Sequence, residues 1–274
     1  MKRTYINQAQ AALELGIDRS TVAHLLSQRL IVGARKVGGR WLIPTPVQRK
    51  VGTRGFKSKQ AEQREAFLQG LPEVADVYKL HCCPVADLSQ RLEPDSIDYI
   101  ITDPPYGQEA IPVYADLGSL AKVVLKPGGS LVVMTGQSYL PEVMQNLAAH
   151  LTYQWMLPYL TPGGQAPQIW ERKVNSFWKP VLWYVKGAYE GKWAGDVVKS
   201  AVNDNDKRFH RWGQSESGMA DIIDRFTEPG QTILDPFLGG GTTAVVALGM
   251  RRKFIGADSD SEAIKTTLQR LQNG

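Results

Sequence analysis

The stretch IDYIITDPPYGQ, residues 97–108, joins a short aliphatic run to a turn that contains two consecutive prolines. Its β-branched and aromatic residues predict a buried strand at residues 97–102. Proline lacks a backbone N–H group and holds φ at roughly −65°, so the pair ends the strand and fixes a rigid turn. The stretch predicts that Asp103 and Tyr106 lie beyond the carboxyl end of a strand, and a turn that merely stops the strand is the alternative.

Further apolar runs of strand length follow along the chain, and helical patterns alternate with them. Buried strands that alternate with helices are typical of a parallel sheet covered on both faces, which predicts an α/β fold. Ligands bind such sheets beyond the carboxyl ends of the strands. The runs are SLVVMT at 130–135, VLWYVK at 181–186, TILDPF at 232–237 and KFIGAD at 253–258.

A second motif, QTILDPFLGGGTTAVVALGM, places a glycine-rich turn between a strand and an apolar helix. Glycines 239–241 allow a close approach of the backbone to a ligand, and Thr242 and Thr243 can donate hydrogen bonds. Asp258, 23 residues after Asp235, is placed to bind ribose hydroxyls. The motif lacks G-x-G-x-x-G, and Asp235 would stand beside a pyrophosphate. It therefore favours a cationic nucleoside ligand without phosphate, and a tight connection that binds nothing is the alternative.

The proline turn suits an exocyclic amine of a nucleobase. When such an amine attacks an electrophilic methyl group, its nitrogen becomes tetrahedral and its two protons need acceptors. The Asp103 carboxylate and the Pro104 carbonyl provide two convergent acceptors, and the Tyr106 ring provides a face on which a base can stack. We therefore interpret the turn as a holder for the amine of a base.

The two motifs together, TDPPYG and LDPFLGGGTT 132 residues downstream, resemble the S-adenosylmethionine-dependent amino-methyltransferases of DNA. Their order, with the catalytic motif first, is that of the permuted class β. The resemblance covers about residues 78–274. It implies a Rossmann-like methyltransferase fold with a circularly permuted motif order, S-adenosylmethionine as the cofactor and double-stranded DNA as the partner.

In this family the DPPY form of the catalytic motif is associated with adenine, and the SPPY form with cytosine. The resemblance therefore implies direct methyl transfer to the N6 amine of a flipped adenine, without a metal. DNA cytosine-N4 methylation is one alternative, and a DNA-binding regulator with an inactive methyltransferase domain is another. Methylation of RNA or of protein glutamine is a third, for which NPPY is more usual.

The resemblance also implies roles for single residues. The segment before the cofactor strand departs from the family, because Ser215 and Glu216 follow Gln214 where a lysine–proline pair is usual. The implied catalytic residues are Asp103, Pro104, Pro105 and Tyr106. The implied cofactor-binding residues are Asp235, Phe237, Gly239, Gly241, Thr242, Thr243 and Asp258, together with Gln214 and Ser215.

The N-terminal segment carries a different pattern. Two short helical stripes meet at Gly16, and Gly38 and Gly39 between apolar residues indicate a tight hairpin. Residues 4–46 resemble the winged helix–turn–helix of excisionase and MerR-like regulators, which implies a small DNA-binding domain at residues 1–46. The residues expected to contact DNA are Arg19, Thr21, His24, Arg35, Lys36 and Arg40.

Charge supports a division of the chain. Residues 1–64 contain 13 Lys and Arg against 3 Asp and Glu, whereas the remainder contains 19 against 24. A basic front segment favours a polyanionic partner, and a solvated basic tail is the alternative. We expect a basic linker at residues 47–77 and the methyltransferase domain at residues 78–274.

Several features bound the remaining possibilities. The sequence lacks an apolar run of about 20 residues and the apolar core of a signal peptide, so we expect a cytoplasmic protein, as a monomer or homodimer. Cys82 and Cys83 are adjacent and predict neither a disulfide nor a zinc site. The aromatic residues of QIWERKVNSFWKP can line a DNA path or can simply cover a sheet edge.

Overall fold

A computed structural model provides the structure of the protein. The chain falls into two compact units, residues 1–59 and 60–274. The structure describes residues 5–15, 19–27, 31–37, 40–45, 47, 77–162, 167–201 and 215–273.

The first unit combines two helices with a three-stranded antiparallel sheet in the order β1-β3-β2. A reciprocal cap opens the first helix, since the Gln10 N–H donates to the Asn7 side chain and the Asn7 N–H to that of Gln10. Small Ala11 and Ala12 are buried against the second helix. The elements are α1 (Gln8–Leu15), α2 (Arg19–Ser27), β1 (Tyr5–Ile6), β2 (Arg35–Val37) and β3 (Arg40–Pro44).

The order of two helices followed by a hairpin agrees with the sequence expectation. Gly16, Gly38 and Gly39, on which that expectation rested, lie outside the described residues. The assignment of this unit as a winged helix–turn–helix therefore stays a prediction.

The second unit is built on an eight-stranded sheet in the order β11-β7-β10-β6-β5-β12-β13-β4. Its strands are β4 (Tyr78–Cys82), β5 (Ile97–Thr102), β6 (Leu125–Met134), β7 (Thr152–Leu160), β10 (Trp178–Val185), β11 (Val198–Lys199), β12 (Thr232–Asp235) and β13 (Lys253–Asp258). Its helices are α3 (Val85–Leu88), α4 (Ile111–Val124), α5 (Leu140–Ala148), α6 (Glu216–Phe226), α7 (Thr242–Gly249) and α8 (Ser261–Asn273). This α/β architecture was predicted from the alternation of strand and helix patterns.

The expectation of a wholly parallel sheet is wrong for one strand. β10 runs antiparallel to both of its neighbours, β6 and β7. The described residues between β7 and β10 contain no crossover α-helix and instead form an arm that contains β8 (Gln168–Ile169) and β9 (Val174–Asn175). Parallel neighbours need a connection that crosses back over the sheet, whereas this arm turns back at the edge where β7 ends, so the pair is antiparallel. As a result β10 begins, rather than ends, at the carboxyl edge of the other strands.

Two apolar layers cover the faces of the sheet. On one face α6, α7 and α8 pack against alternate strand residues such as Tyr99 and Ile101. On the other face α3, α4 and α5 pack against residues such as Ile100. Helices therefore shield both faces of the sheet from solvent, which explains why the strand sequences are continuous apolar runs.

None of the described helices is long and apolar enough to cross a lipid bilayer. Cys82 is exposed and Cys83 is buried, and both are free thiols.

Candidate active site

The proline turn and the glycine-rich turn meet at one edge of the sheet. β5 and β12 are hydrogen-bonded parallel neighbours, so the residues that follow them emerge side by side. The buried Thr102 hydroxyl, at the end of β5, donates to the Asp235 carboxylate at the end of β12 over 2.6 Å. This bond ties the two turns together, as expected if they form one site.

Asp103 stands at the centre of the edge with two close partners. Its side chain is 17% exposed, and the hydroxyl of Tyr106 donates to its carboxylate. The ammonium of Lys179, from the start of β10, lies 3.4 Å from the other carboxylate oxygen. The same ammonium lies 5.1 Å from the centre of the Tyr106 ring, within the range of a cation–π contact.

Tyr106 closes the proline turn over this carboxylate. The side chain is 40% exposed overall, whereas its hydroxyl group lies among protein atoms. Removal from water, followed by the Asp103 charge, raises the pKa of Tyr106 well above its ordinary value, so the hydroxyl stays a donor. A Cβ at Gly136 would lie 3.6 Å from this side chain, so the ring packs at ordinary contact distance from this position.

The two prolines are held differently. Pro104 is buried and Pro105 is exposed. The hydroxyl of Tyr114, on α4, lies 2.9 Å from Thr135 and 3.4 Å from the Pro105 carbonyl. The turn is therefore braced from below by a buried tyrosine.

Asp235 is a buried carboxylate, 2% exposed. Burial raises its pKa to about 6, and nearby Asp103 contributes in the same direction. Hydrogen bonds from the side chains of Thr102 and Thr243 and from the Phe237 N–H oppose this shift. Buried carboxylates with a raised pKa cluster at functional sites, which makes Asp235 a candidate ligand-binding group.

The glycine-rich turn wraps the end of β13. The Gly239 N–H donates to one oxygen of Asp258 over 2.9 Å, and the Asp260 N–H to the other over 2.9 Å. Gly241 has φ +74° and precedes the first residue of α7. A Cβ there would collide with the side chain of Thr267, so only glycine fits.

The two threonines at the start of α7 are buried, and each has a hydrogen-bond partner within the protein. Thr243 donates to Asp235, as described above, and Thr242 lies 3.4 Å from the guanidinium of Arg270 on α8. Arg270 also donates to the Gly240 carbonyl and lies 3.2 Å from Glu216. This arginine therefore anchors the glycine-rich turn from behind.

The site suits a cationic ligand that carries a sugar. Within the described ranges, neither Asp235 nor Asp258 lies within salt-bridge distance of a basic side chain. A Cβ on Gly239, with φ +49°, would find only a carbonyl oxygen 4.0 Å away, so the turn presents open space beside the Asp258 carboxylate. Two carboxylates, Asp235 and Asp258, flank the glycine-rich turn. They are complementary to a ligand that carries both a positive charge and hydroxyl groups that donate hydrogen bonds.

The other predicted site residues fall in three groups. Ser215 is 2% exposed and caps α6 by accepting the Gly218 N–H over 3.0 Å, whereas Gln214 lies outside the described residues. Arg35, Lys36 and Arg40 are exposed on the hairpin of the first unit, with Arg35 over the Tyr5 ring at 5.2 Å. Thr21 is partly buried on α2. Arg19 and His24 belong to α2, but their side chains lie outside the description.

Sequence reasoning missed several residues of the site. Thr102, Lys179, Tyr114 and Arg270 contact the two turns but belong to neither motif. A signal existed for Lys179, which stands two residues before the apolar run at 181–186. Thr102 carried none, since its role depends on the strand paired beside it.

Comparison with known proteins fits this geometry. Residues 97–269 match the model of a family described as DNA methylase, and the match covers more than half of the chain. The chain belongs to this DNA methylase family. The matched region begins at β5 and ends within α8, so it includes both turns of the site.

Individual relatives of this DNA methylase are similar over most of its length. It is 28% identical over 235 residues to the type II methyltransferase M2.LlaDCHI of Lactococcus lactis subsp. cremoris, which covers 68% of this chain and 86% of the relative. It is 25% identical over 244 residues to the DNA adenine methyltransferase YhdJ of Escherichia coli (strain K12), covering 70% and 81%. The crystal structure of an M1.HpyAVI–SAM complex superposes with a TM-score of 0.58 at 22% identity, covering 71% and 98%, which shows a shared fold.

Proposed function

We propose that this DNA methylase transfers a methyl group from S-adenosylmethionine to the N6 amine of adenine in double-stranded DNA. The observation that carries the proposal is the Thr102–Asp235 hydrogen bond, which holds the amine-binding turn beside the acidic glycine-rich turn. Relatives named as type II methyltransferases and as a DNA adenine methyltransferase support the choice of reaction and base. The DPPY form of the catalytic motif supports adenine independently.

The residues at the glycine-rich turn fit S-adenosylmethionine. Asp235 and Phe237 would lie on its charged side, Gly239 and Gly241 along its backbone, and Asp258 at its ribose. Thr242 and Thr243 would lie near its carboxylate, and Gln214 and Ser215 at the margin of the site. When bound, the cofactor supplies a methyl group whose carbon–sulfur bond is weakened by the positive charge on sulfur.

At the other turn, the chain's own groups prepare the amine. Asp103 and the Pro104 carbonyl accept its two N–H bonds, which directs the nitrogen lone pair toward the methyl carbon. As the new nitrogen–carbon bond forms, the nitrogen gains positive charge, and the Asp103 carboxylate stabilises that charge and then takes the proton. Pro105 keeps the turn rigid, and the Tyr106 ring stacks on the base.

A base within a duplex cannot reach this turn, so the target adenine must leave the helix. Unstacking costs a few kcal/mol, which stacking on Tyr106 offsets in part. The first unit serves as a winged helix–turn–helix that adds contacts to DNA through Arg19, Thr21, His24, Arg35, Lys36 and Arg40. In the chain the amine-binding turn precedes the glycine-rich turn, which supports assignment to the permuted class β.

Product analysis tests this proposal. The full chain is incubated with S-adenosylmethionine labelled in the methyl group and with unmethylated duplex DNA, and the DNA is digested to nucleosides. We expect label in N6-methyldeoxyadenosine. Label in N4-methyldeoxycytidine would overturn the assignment of the base, and the absence of any label would overturn the assignment of the reaction.

A matched pair of variants assigns the chemistry. Asp103→Ala should abolish transfer while duplex binding stays near wild type, because the carboxylate acts on the amine and not on the backbone of DNA. Asp116→Ala removes an exposed carboxylate from α4 and should change neither property. Retained transfer in Asp103→Ala would contradict the role given to that carboxylate.

A further inference from the structure

An arm between β7 and β10 projects at the same edge as the amine-binding turn. β7 ends at this edge and β10 begins there, so residues 161–177 leave and return beside the site. Within this arm β8 pairs with β9, with Gln168 opposite Asn175 and Ile169 opposite Val174. The description of the arm covers residues 161–162 and 167–177.

The arm is fastened to the loop that follows β6. The Ser176 hydroxyl donates to the Gln137 side chain over 2.6 Å, and the Arg172 guanidinium donates to the Ser138 carbonyl over 2.8 Å. The Ser176 N–H closes the base of the arm on the Pro167 carbonyl over 2.9 Å. Its aromatic residues are therefore held at a fixed place beside the site.

Two large aromatic side chains of the arm stand in solvent. Trp170 is 79% exposed and Phe177 is 73% exposed. Each such side chain buries on the order of 150–250 Å² when it is covered, so the uncovered pair leaves substantial apolar surface in water. Basic Arg172 and Lys173 lie between them in the sequence, with one acidic neighbour, Glu171.

We propose that this arm is the surface that enters the DNA duplex beside the extruded base. Trp170 and Phe177 stack on the bases exposed when the target leaves the helix, and exposed Lys173 contacts a backbone phosphate. The choice of DNA as partner rests on the proposed function. Departure of a base opens a gap and leaves its partner unstacked, and an aromatic ring that fills the gap recovers stacking.

The setting favours DNA over a protein partner or a second copy of the chain. The arm is continuous with the edge that holds the amine, because Phe177 precedes Lys179 by two residues and Lys179 contacts Asp103. Base faces and phosphates also match the combination of aromatic rings and basic groups, since stacking is tolerant of sequence and lysine neutralises a phosphate.

Binding to two duplexes tests the arm without knowledge of the methylated sequence. One labelled duplex is fully paired, and the other carries a central abasic nucleotide, which opens the stack in advance. Anisotropy is measured on the full chain without methyl donor. We expect wild type to prefer the abasic duplex, and Trp170→Ala and Phe177→Ala each to lose about 5-fold or more of affinity for it.

A matched control distinguishes the arm from exposed aromatic surface in general. Trp193 is fully exposed on the loop after β10, which leaves the sheet at the opposite edge, so Trp193→Ala should retain wild-type binding and preference. Lys173→Ala should reduce the slope of log affinity against log salt by about 0.9, whereas the aromatic variants should leave that slope unchanged.

Three outcomes would overturn the proposal. The first is a wild-type protein that binds both duplexes equally well. The second is an abasic preference that persists in both Trp170→Ala and Phe177→Ala. The third is a wild-type dimer that these substitutions convert to a monomer while DNA binding stays unchanged. Because this experiment uses no methyl donor, its result is independent of the product analysis. If the variants lose the abasic preference but wild type transfers no methyl group, the proposed reaction is contradicted and the proposed role of the arm in DNA binding is supported.

Discussion

Replacing Asp235 with asparagine should remove a pH-dependent cost from the stability of the ligand-free protein, although the variant should lose its cofactor. The pKa of Asp235 is raised from 3.8 to about 6 by burial. A shift of about 2 units corresponds to about 3 kcal/mol of differential interaction between the charged and neutral carboxyl. The wild-type fold therefore carries this cost whenever Asp235 is ionised.

The direction in which wild-type stability changes with pH follows from when the folded and unfolded states release the Asp235 proton. Below the unfolded pKa, both states hold the proton and the cost is absent. Between 3.8 and about 6 the unfolded chain ionises first, so wild-type stability falls as pH rises. Above the folded pKa the full penalty applies. The total loss of wild-type stability is about 3 kcal/mol, and about 2 kcal/mol of it occurs between about pH 4.5 and about pH 7.5.

Urea unfolding of the full chain and of Asp235→Asn, followed by tryptophan fluorescence over this pH range, measures the effect. Asparagine also disturbs the bonds from Thr102, Thr243 and the Phe237 N–H, but those losses do not vary with pH. The difference in unfolding free energy, variant minus wild type, should therefore rise by about 2 kcal/mol from about pH 4.5 to about pH 7.5. Parallel pH profiles would refute the assigned burial cost.

A second measurement on the same proteins links the cost to function. S-adenosylmethionine at about 100 times its Kd should stabilise wild type by about 2.7 kcal/mol. It should not stabilise Asp235→Asn, since the variant lacks the charge that we propose faces the sulfonium. Equal stabilisation of both proteins would show that this carboxylate does not bind the cofactor.

Three further variants probe single contacts. Lys179→Met should lower the turnover of methyl transfer about tenfold by removing the cation beside Asp103, and Lys179→Arg should recover most of it in the same steady-state assay. Ser215→Ala should cost about 1 kcal/mol of stability in thermal unfolding, because the substitution removes the side-chain cap of α6. Gly241→Ala should lower Tm more than Gly187→Ala, because both have positive φ but only Gly241 packs against Thr267.

The sequence predicted those parts of the fold that depend on local pattern. The strands ending at Thr102, Asp235 and Asp258 were predicted because apolar runs ended at prolines, glycines or acids. The meeting of the two turns was also predicted, because the carboxyl ends of parallel strands share an edge.

The parts that the sequence did not predict depend on lateral neighbours. The Thr102–Asp235 bond exists because β5 and β12 happen to pair across 133 positions of the chain, which periodicity cannot reveal. The reversed direction of β10 was missed because its apolar run reads alike in either direction. The place of Lys179 before this run was visible in the sequence, but its contact with Asp103 was not, because it requires β10 to begin at that edge.

The reversed strand limits how this protein can vary. Side chains alternate between the faces of a strand, so inserting one residue between Lys179 and Val181, within the paired part of β10, would turn Lys179 away from Asp103. The number of residues in the arm before Trp178 is not restricted in this way, because the arm lies outside the paired strand. The length of the arm can therefore change while Lys179 keeps its position beside Asp103.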